Sequence, residues 1–387
     1  MQVTQVLNGH PLATPAAAPL DCFDTGGDLD LWLGQLQRQV SSVLTAFVRD
    51  RCAEYVRDVP GADFVSGLLT EFAGGGKHVR STFTYLGWLS ASGDGPAYLS
   101  EQLDAPLRAA ASTELVHAFA LLQDDVMDQS ALRRGKPALH VRLADWHRSA
   151  GLDGPAGRFG ESAAILFADL CLVWAEQLFR ESGLPAAALA RGWPRYDTLR
   201  GELAVGQFAD LVHDARGEPT FDEVLDVIRR KSGNYTVRRP LELGAALAGA
   251  DEQTLTILGD YGGLVGEAFQ LRDDLLGVFG RPSVTGKPSG GDLREHKATS
   301  VVVLAADMAS PAQDAELSKL NRQDDLDDAD LDRWRQLIIE TGAPARIEQL
   351  IGARVTAACD RLADGGLHPF VRLALTELAV RYTDRAK

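Results

Sequence analysis

Apolar residues in this chain recur at intervals of three and four over long stretches, and that spacing leaves little room for anything but helices. Leu29, Trp32, Leu33, Leu36, Val40, Val43, Leu44 and Phe47 step along one face of a 3.6-residue turn. Asp28 stands where it could cap that helix. The same periodicity returns over residues 107–127, 162–179 and 255 to about 279, while alternating strand patterns are scarce. The expected fold class is therefore all-α.

Gly and Pro cluster near 93–96, 151–157, 183–185 and 281–291, which punctuates the helices. None of these breaks separates compositionally distinct halves, and no fixed-period repeat is visible. The Pro, Ala and polar mix of residues 1–28 reads as a disordered tail. It lacks the charged opening and apolar block of a signal peptide. Residues 29–387 then form one large helical domain. An apolar content of 45% suffices for a sizeable core. A formal net charge of −15 argues against nucleic acid as a partner, because neutralising phosphates takes a surplus of Lys and Arg. No apolar run approaches the ~18 residues of a membrane span, so none is expected. Cys22, Cys52, Cys171 and Cys359 are too scattered for a zinc site and too few for a disulfide framework. A reducing cytoplasm is the expected location.

Two acidic strings each end an apolar helical stretch. In Asp124-Asp125-Val126-Met127-Asp128, the first and last acids lie one turn apart on one helix face. Such carboxylates repel unless a cation lies between them, and hard oxygen ligands suit Mg²⁺. A solvated acidic helix end is the plain alternative, although it opposes the helix dipole. The second string, Gln270-Leu271-Arg272-Asp273-Asp274-Leu275-Leu276-Gly277, echoes the first, with Gly277 where a third acid would complete it. Alone it reads as a salt-bridged surface turn. Facing the first across one cavity, it would build a magnesium site for a diphosphate. Basic residues accompany the acids: Lys77 and Arg80 after Gly74-Gly75-Gly76, then Arg133-Arg134-Gly135-Lys136, Lys231, Lys287 and Lys297. Arg presents a planar fork to phosphate oxygens and Lys a point charge. Ordinary surface pairing is the commoner fate of any one of them.

In this order, Gly75-Gly76-Lys77-His78-Val79-Arg80, Glu114-Leu115-Val116-His117, Asp124 to Asp128, Leu132-Arg133-Arg134-Gly135, Lys231-Ser232, Gln270 to Asp274 and Gly291-Asp292-Leu293-Arg294-Glu295-His296-Lys297 resemble the all-trans polyprenyl diphosphate synthase family. The likeness runs from about Leu29 to the C-terminus and is closest to geranylgeranyl diphosphate synthases. It implies a helical bundle around a deep central cavity, a homodimer, and magnesium-dependent elongation, with three Mg²⁺ per active site when diphosphate is bound. Carried over by position, Asp124, Asp128 and Asp273 would hold magnesium on an allylic diphosphate (dimethylallyl, geranyl or farnesyl). Arg133, Lys231 and Lys287 would bind that diphosphate, with Lys297 nearby. Lys77, Arg80, His117 and Arg134 would hold isopentenyl diphosphate. Gln270 and the Ser232 hydroxyl would lie near the developing allylic cation. Gly277 departs from the family pattern, and so, mildly, does Ser232, where Thr is more frequent.

Phe119 and Ala120 point back from the first acidic string, roughly 6 to 8 Å deeper at 1.5 Å per residue. One aromatic beside a small residue resembles the floor of C20-producing members, so geranylgeranyl diphosphate is the expected product. Core packing is the plain alternative for Phe119. A class I terpene cyclase would share the fold, but Gly277 and Arg281 break its second metal motif. A non-catalytic regulatory subunit would have no need of the intact first string. The run Asp324-Asp325-Leu326-Asp327-Asp328 lacks a preceding apolar helix and reads as a solvated loop with capping potential. His140 and His147 could share a helix face, without an evident third ligand.

Overall fold

The computed structural model describes residues 26–92, 104–216, 219–280, 290–323, 325–363 and 366–384. Most of the expected N-terminal tail, Cys22, Lys287 and the 93–96 break lie outside these. The chain forms α1 (Gly26–Tyr55), α2 (Ala62–Gly74), α3 (Val79–Leu89) and α4 (Asp104–Met127). A small hairpin follows, β1 (Leu132–Arg133) and β2 (Lys136–Pro137). Next come α5 (Leu139–Ser149), α6 (Ala156–Arg180), α7 (Ala186–Arg216) and α8 (Phe221–Val227). A π-helical segment, Ile228–Arg238, runs directly into α9 (Arg239–Ala248), and α10 (Glu252–Phe279) follows. The chain ends in α11 (Gly291–Arg294), α12 (Ser300–Met308), α13 (Pro311–Asn321), α14 (Asp328–Thr341), α15 (Ala343–Ala363) and α16 (Pro369–Thr383). The all-α expectation holds, with the hairpin as the one strand pairing among the described residues.

Helix α1 begins at Gly26, so Asp28 lies inside its first turn rather than at its cap. Its face of Leu29, Trp32, Leu36, Val40 and Leu44 is buried as the periodicity requires. Helix α4 is the central rod: Leu107, Ala109, Ala110, Ala111, Leu115, Val116 and Leu122 are all essentially inaccessible. A helix apolar on nearly every side belongs in a core, and α4 packs on α6, α3 and α1. A second apolar cluster joins α8, α10, α12, α14 and α15 around Trp334, Leu337 and Ile347. Helices α3 and α9 touch at backbone distance, because Gly244 has no side chain. A Cβ there would stand 1.8 Å from the Thr84 carbonyl oxygen.

Capping is conventional where the sequence offers it. Thr220 and Glu223 form a capping box on α8, Ser310 and Gln313 one on α13, and Asp327 and Asp330 one on α14. Within the acidic run, Asp327 caps α14 and residues 328–332 form its start. His140 and His147 do share α5, where His147 Nε2 lies 3.0 Å from the Asp153 carbonyl oxygen. No metal-holding group of three His, Cys, Asp or Glu exists among the described residues.

One expectation on membrane spans needs correction: α6 is long and apolar enough to cross a membrane. In the fold it buries Ala164, Ala168, Trp174 and Leu178 against its neighbours α4 and α5. The periodicity over 162–179 does locate this helix.

Candidate active site

A cavity of about 800 Å³ opens between α4, α7, the π-helical segment and α10, a volume suited to a small-molecule ligand. Asp124 and Asp273 both line it, as do Lys77, Arg80, His117, Ala120, Arg133, Lys231, Ser232, Gln270 and Lys297. The two acidic strings therefore do converge, and most of the residues singled out from sequence meet in one place.

The acidic wall begins where α4 ends. Asp124 Oδ1 accepts from Lys231 Nζ at 3.2 Å, and Lys231 also reaches Asp210 Oδ2 at 2.5 Å. Gln207 Nε2 donates to Asp124 Oδ1 at 3.4 Å. Burial alone would raise the Asp124 pKa, but Lys231, Arg133 and Lys297 outweigh it and hold the carboxyl below its ordinary value. The hairpin returns Arg133 to the acids. Its turn, Arg134-Gly135, has both φ positive (54° and 72°), which matches the twist of a two-residue hairpin. Arg133 Nε and Nη2 donate to Asp125 Oδ1 at 2.7 and 2.5 Å, and Nη2 to Asp124 Oδ2 at 3.3 Å. Asp125 is thereby a buried anchor for Arg133 and not a cavity ligand. Asp128 pairs with Lys297 at 2.6 Å.

Lys231 and Ser232 project from the π-helical segment, whose wider turn is a recurrent mark of functional sites. Close backbone packing seats it: a Cβ on Gly206 would lie 2.6 Å from the Lys231 nitrogen, and one on Gly266 would lie 2.3 Å from the Gly233 carbonyl oxygen.

In the second string, Asp274 is buried. It accepts from Ser300 N at 2.9 Å, Ser300 Oγ at 2.7 Å and Gln270 Nε2 at 2.9 Å. Burial still raises its pKa despite those donors. Asp274 thus ties α10 to α12, and the Gln270 amide nitrogen is engaged with it.

Lys77, Arg80 and His117 line the same cavity. Arg80 Nη2 donates to Thr236 Oγ1 at 2.9 Å, and the guanidinium stacks 4.3 Å from the Tyr235 ring centroid. Glu114, buried, accepts from Ser81 N at 2.8 Å and Ser81 Oγ at 3.0 Å, with His78 Nδ1 3.9 Å away. That anchor holds the start of α3, and so Arg80, in place. Arg134 does not line the cavity. Its Nη1 donates to the Gly75 carbonyl oxygen at 2.8 Å, and its guanidinium lies over Phe72. The glycine run is what admits Arg134. Gly76 has φ 121°, and a Cβ on it would come within 2.9 Å of Arg134 Nη2. His117 is kept neutral, its pKa pushed well below the ordinary value by burial and then by Arg80 and Arg134. Lys77 and Arg80 bring positive charge to the cavity here, which suits an anion.

Phe119 is not part of the cavity wall. It is half-buried and packs against the main core, while Ala120 and Leu121 face the cavity. A helical step of 100° per residue separates neighbours that a linear count treats as equivalent. Sequence reasoning also missed Gln207 and Asp210. Their signal was a polar pair one turn apart in Gly206-Gln207-Phe208-Ala209-Asp210.

Residues 64–338 match the polyprenyl synthetase family. The chain belongs to that family. It is 32% identical over 308 residues to geranylgeranyl diphosphate synthase of Mycobacterium tuberculosis, covering 79% of this chain and 80% of that protein. With geranylfarnesyl diphosphate synthase of Aeropyrum pernix it shares 31% identity over 275 residues, or 70% and 77% of the two chains. The crystal structure of geranylgeranyl pyrophosphate synthase from Corynebacterium glutamicum, complexed with isoprenyl diphosphate and magnesium, is similar at a TM-score of 0.86 and 36% identity. That match spans 92% of this chain and 99% of that one. As a polyprenyl synthetase the chain is a prenyltransferase, and its all-helical bundle is the fold of these neighbours.

Proposed function

We propose that this polyprenyl synthetase condenses isopentenyl diphosphate with an allylic diphosphate and releases geranylgeranyl diphosphate. The observation that carries the reading is that one cavity is lined both by the acids Asp124 and Asp273 and by Lys77, Arg80 and His117. A cyclase of a single diphosphate would have no use for the second set.

The donor set suits Mg²⁺. It is all carboxylate oxygen, and among the described residues no three His, Cys, Asp or Glu side chains close around a point; an ion that keeps waters and takes phosphate oxygens needs no such group. Asp124, Asp128 and Asp273 would hold it, in three ions per site, and it would supply charge neutralisation to the departing diphosphate. Lys231 and Lys297 stand beside the same carboxylates and add positive charge where the carbon–oxygen bond breaks. Arg133 aligns Asp124 and Asp125 and adds a further cation, and Lys287 is assigned to the same diphosphate. Lys77 and Arg80 orient isopentenyl diphosphate, with neutral His117 as a hydrogen-bond partner; Arg134, outside the cavity wall, holds the Gly75 carbonyl oxygen beside Lys77. Ser232 and Gln270 turn polar groups toward the allylic cation. The bond forms between the allylic C1 and C4 of isopentenyl diphosphate, and the released diphosphate takes the proton from C2. Closing the cavity keeps the cation dry.

Ala120 and Leu121 line the space available to the growing tail, and the geranylgeranyl diphosphate synthases among the relatives support a C20 product. Leu166 and Val173 remain exposed on α6, an apolar face that a second copy would cover in a homodimer. Cys52, Cys171 and Cys359 are free thiols, in keeping with a cytoplasmic enzyme. Incubation with Mg²⁺, labelled isopentenyl diphosphate and farnesyl diphosphate tests the reading. A labelled C20 diphosphate supports it. A hydrocarbon or terpene alcohol would indicate a cyclase, and no turnover would indicate a subunit that needs a partner.

A further inference from the structure

Asp273 lines the cavity, but the residue before it on α10 does not. Arg272 is buried, and its Nη1 and Nη2 donate to the two carboxylate oxygens of Glu348 at 2.7 and 2.6 Å. Its Nε donates at 2.6 Å to the carbonyl oxygen of Thr383, the last residue of α16. A two-point fork of this kind leaves a guanidinium little freedom. Earlier on α10, buried Glu267 accepts from Arg354 Nε at 2.7 Å and from Arg229 Nε, on the π-helical segment, at 2.9 Å. Glu348 and Arg354 both belong to α15. Neither lines the cavity, and both lie beyond residue 338, where the family match ends. Because 272 meets 348 and 267 meets 354, the two helices run antiparallel here. The stretch between the paired residues is about 7.5 Å on α10 and about 9 Å on α15, so the two spans nearly match. The charges are crossed, with acid and base exchanged between the pairs. A slide that carried Arg272 toward Arg354 would oppose like charges and leave a buried guanidinium unpaired, which is costly. One register alone satisfies both pairs.

We infer that Glu348 and Arg354 are positioning residues for the reaction. From behind α10 they fix its register and rotation, and with them the place at which Asp273 enters the cavity. Through Glu267 and Arg229 the same strut bears on the π-helical segment that carries Lys231. This rests on the proposed reading of Asp273 as a magnesium ligand.

Calorimetric titration of Mg²⁺ in the presence of inorganic pyrophosphate measures the effect without turnover. Glu348→Gln, which keeps the shape and removes one charge of the lock, should weaken Mg²⁺ binding about tenfold, the lower end of what a supporting group contributes at a metal. Arg354→Gln should act in the same direction. Arg354→Lys keeps the charge and should bind within about threefold of the parent. Because the effect passes through Asp273, adding Glu348→Gln to Asp273→Asn should cost no more than about a further twofold. Thermal denaturation shows which variants are folded at the titration temperature, and Arg354→Gln decides if Glu348→Gln is not. A lower melting temperature with parent-like Mg²⁺ binding would make the lock purely structural and overturn the inference. So would a tenfold loss that persists undiminished in Asp273→Asn. In either case impaired binding by Asp273→Asn and Asp124→Asn leaves the proposed function standing, whereas parent-like binding by both overturns the reading of the cavity as well.

Discussion

Replacing Lys231 by Ala should slow the enzyme and loosen the fold through different bonds. The ammonium lies 3.2 Å from Asp124 and 2.5 Å from Asp210, with all three side chains less than a third exposed. At an effective dielectric of 20 the gross attractions are about 5 and 7 kcal/mol. Desolvation of the three groups offsets most of that, so the expected loss of folding stability is about 1–3 kcal/mol. Catalysis should suffer more. Removing one preorganised charge from a departing anion costs about 100- to 1000-fold in kcat. Lys231 also helps hold the Asp124 carboxyl below its ordinary pKa. Without it, the acidic limb of the rate profile should move to higher pH. Lys231→Arg keeps the charge with a different reach, and should recover stability before rate. Rapid-quench measurement with labelled isopentenyl diphosphate at saturating allylic substrate, beside urea denaturation, separates the two effects. A kcat within threefold of the parent in Lys231→Ala would refute the assignment of Lys231 to the leaving group.

Ala120→Phe should shift the main product from C20 to C15, while Phe119→Ala changes chain length less; chromatography of dephosphorylated products reads both, and the reverse order would return the floor to Phe119. Gly244→Ala should destabilise by about 1–3 kcal/mol through overpacking at the α3–α9 contact, visible as a lower urea midpoint. His117 is held neutral in the fold, whereas its unfolded form takes up a proton below pH ~6.5. The unfolded state then binds more protons, so stability is complete above that pH and falls by up to about 1.4 kcal/mol per unit beneath it. His117→Asn should flatten the difference between urea midpoints at pH 7 and 5.5, and an unchanged difference would assign it to other groups.

Local patterns in the chain were enough for the helical class, the two acidic strings and most of the cations, because periodicity and residue chemistry act over a few neighbouring positions. Leu29 to Leu44 buried as their spacing required. Phe119 and Ala120 are adjacent in the chain, yet the rotation of α4 turns one onto the core and the other into the cavity. Arg133 and Arg134 differ as sharply, since a two-residue turn sends one to Asp125 and the other under Gly76. Gly277 read as a lost acid, and in the fold its Cβ position falls against the Asp292 carboxylate. Which side chain meets which is fixed by where packed helices bring remote segments together, and no window along the chain contains those distances.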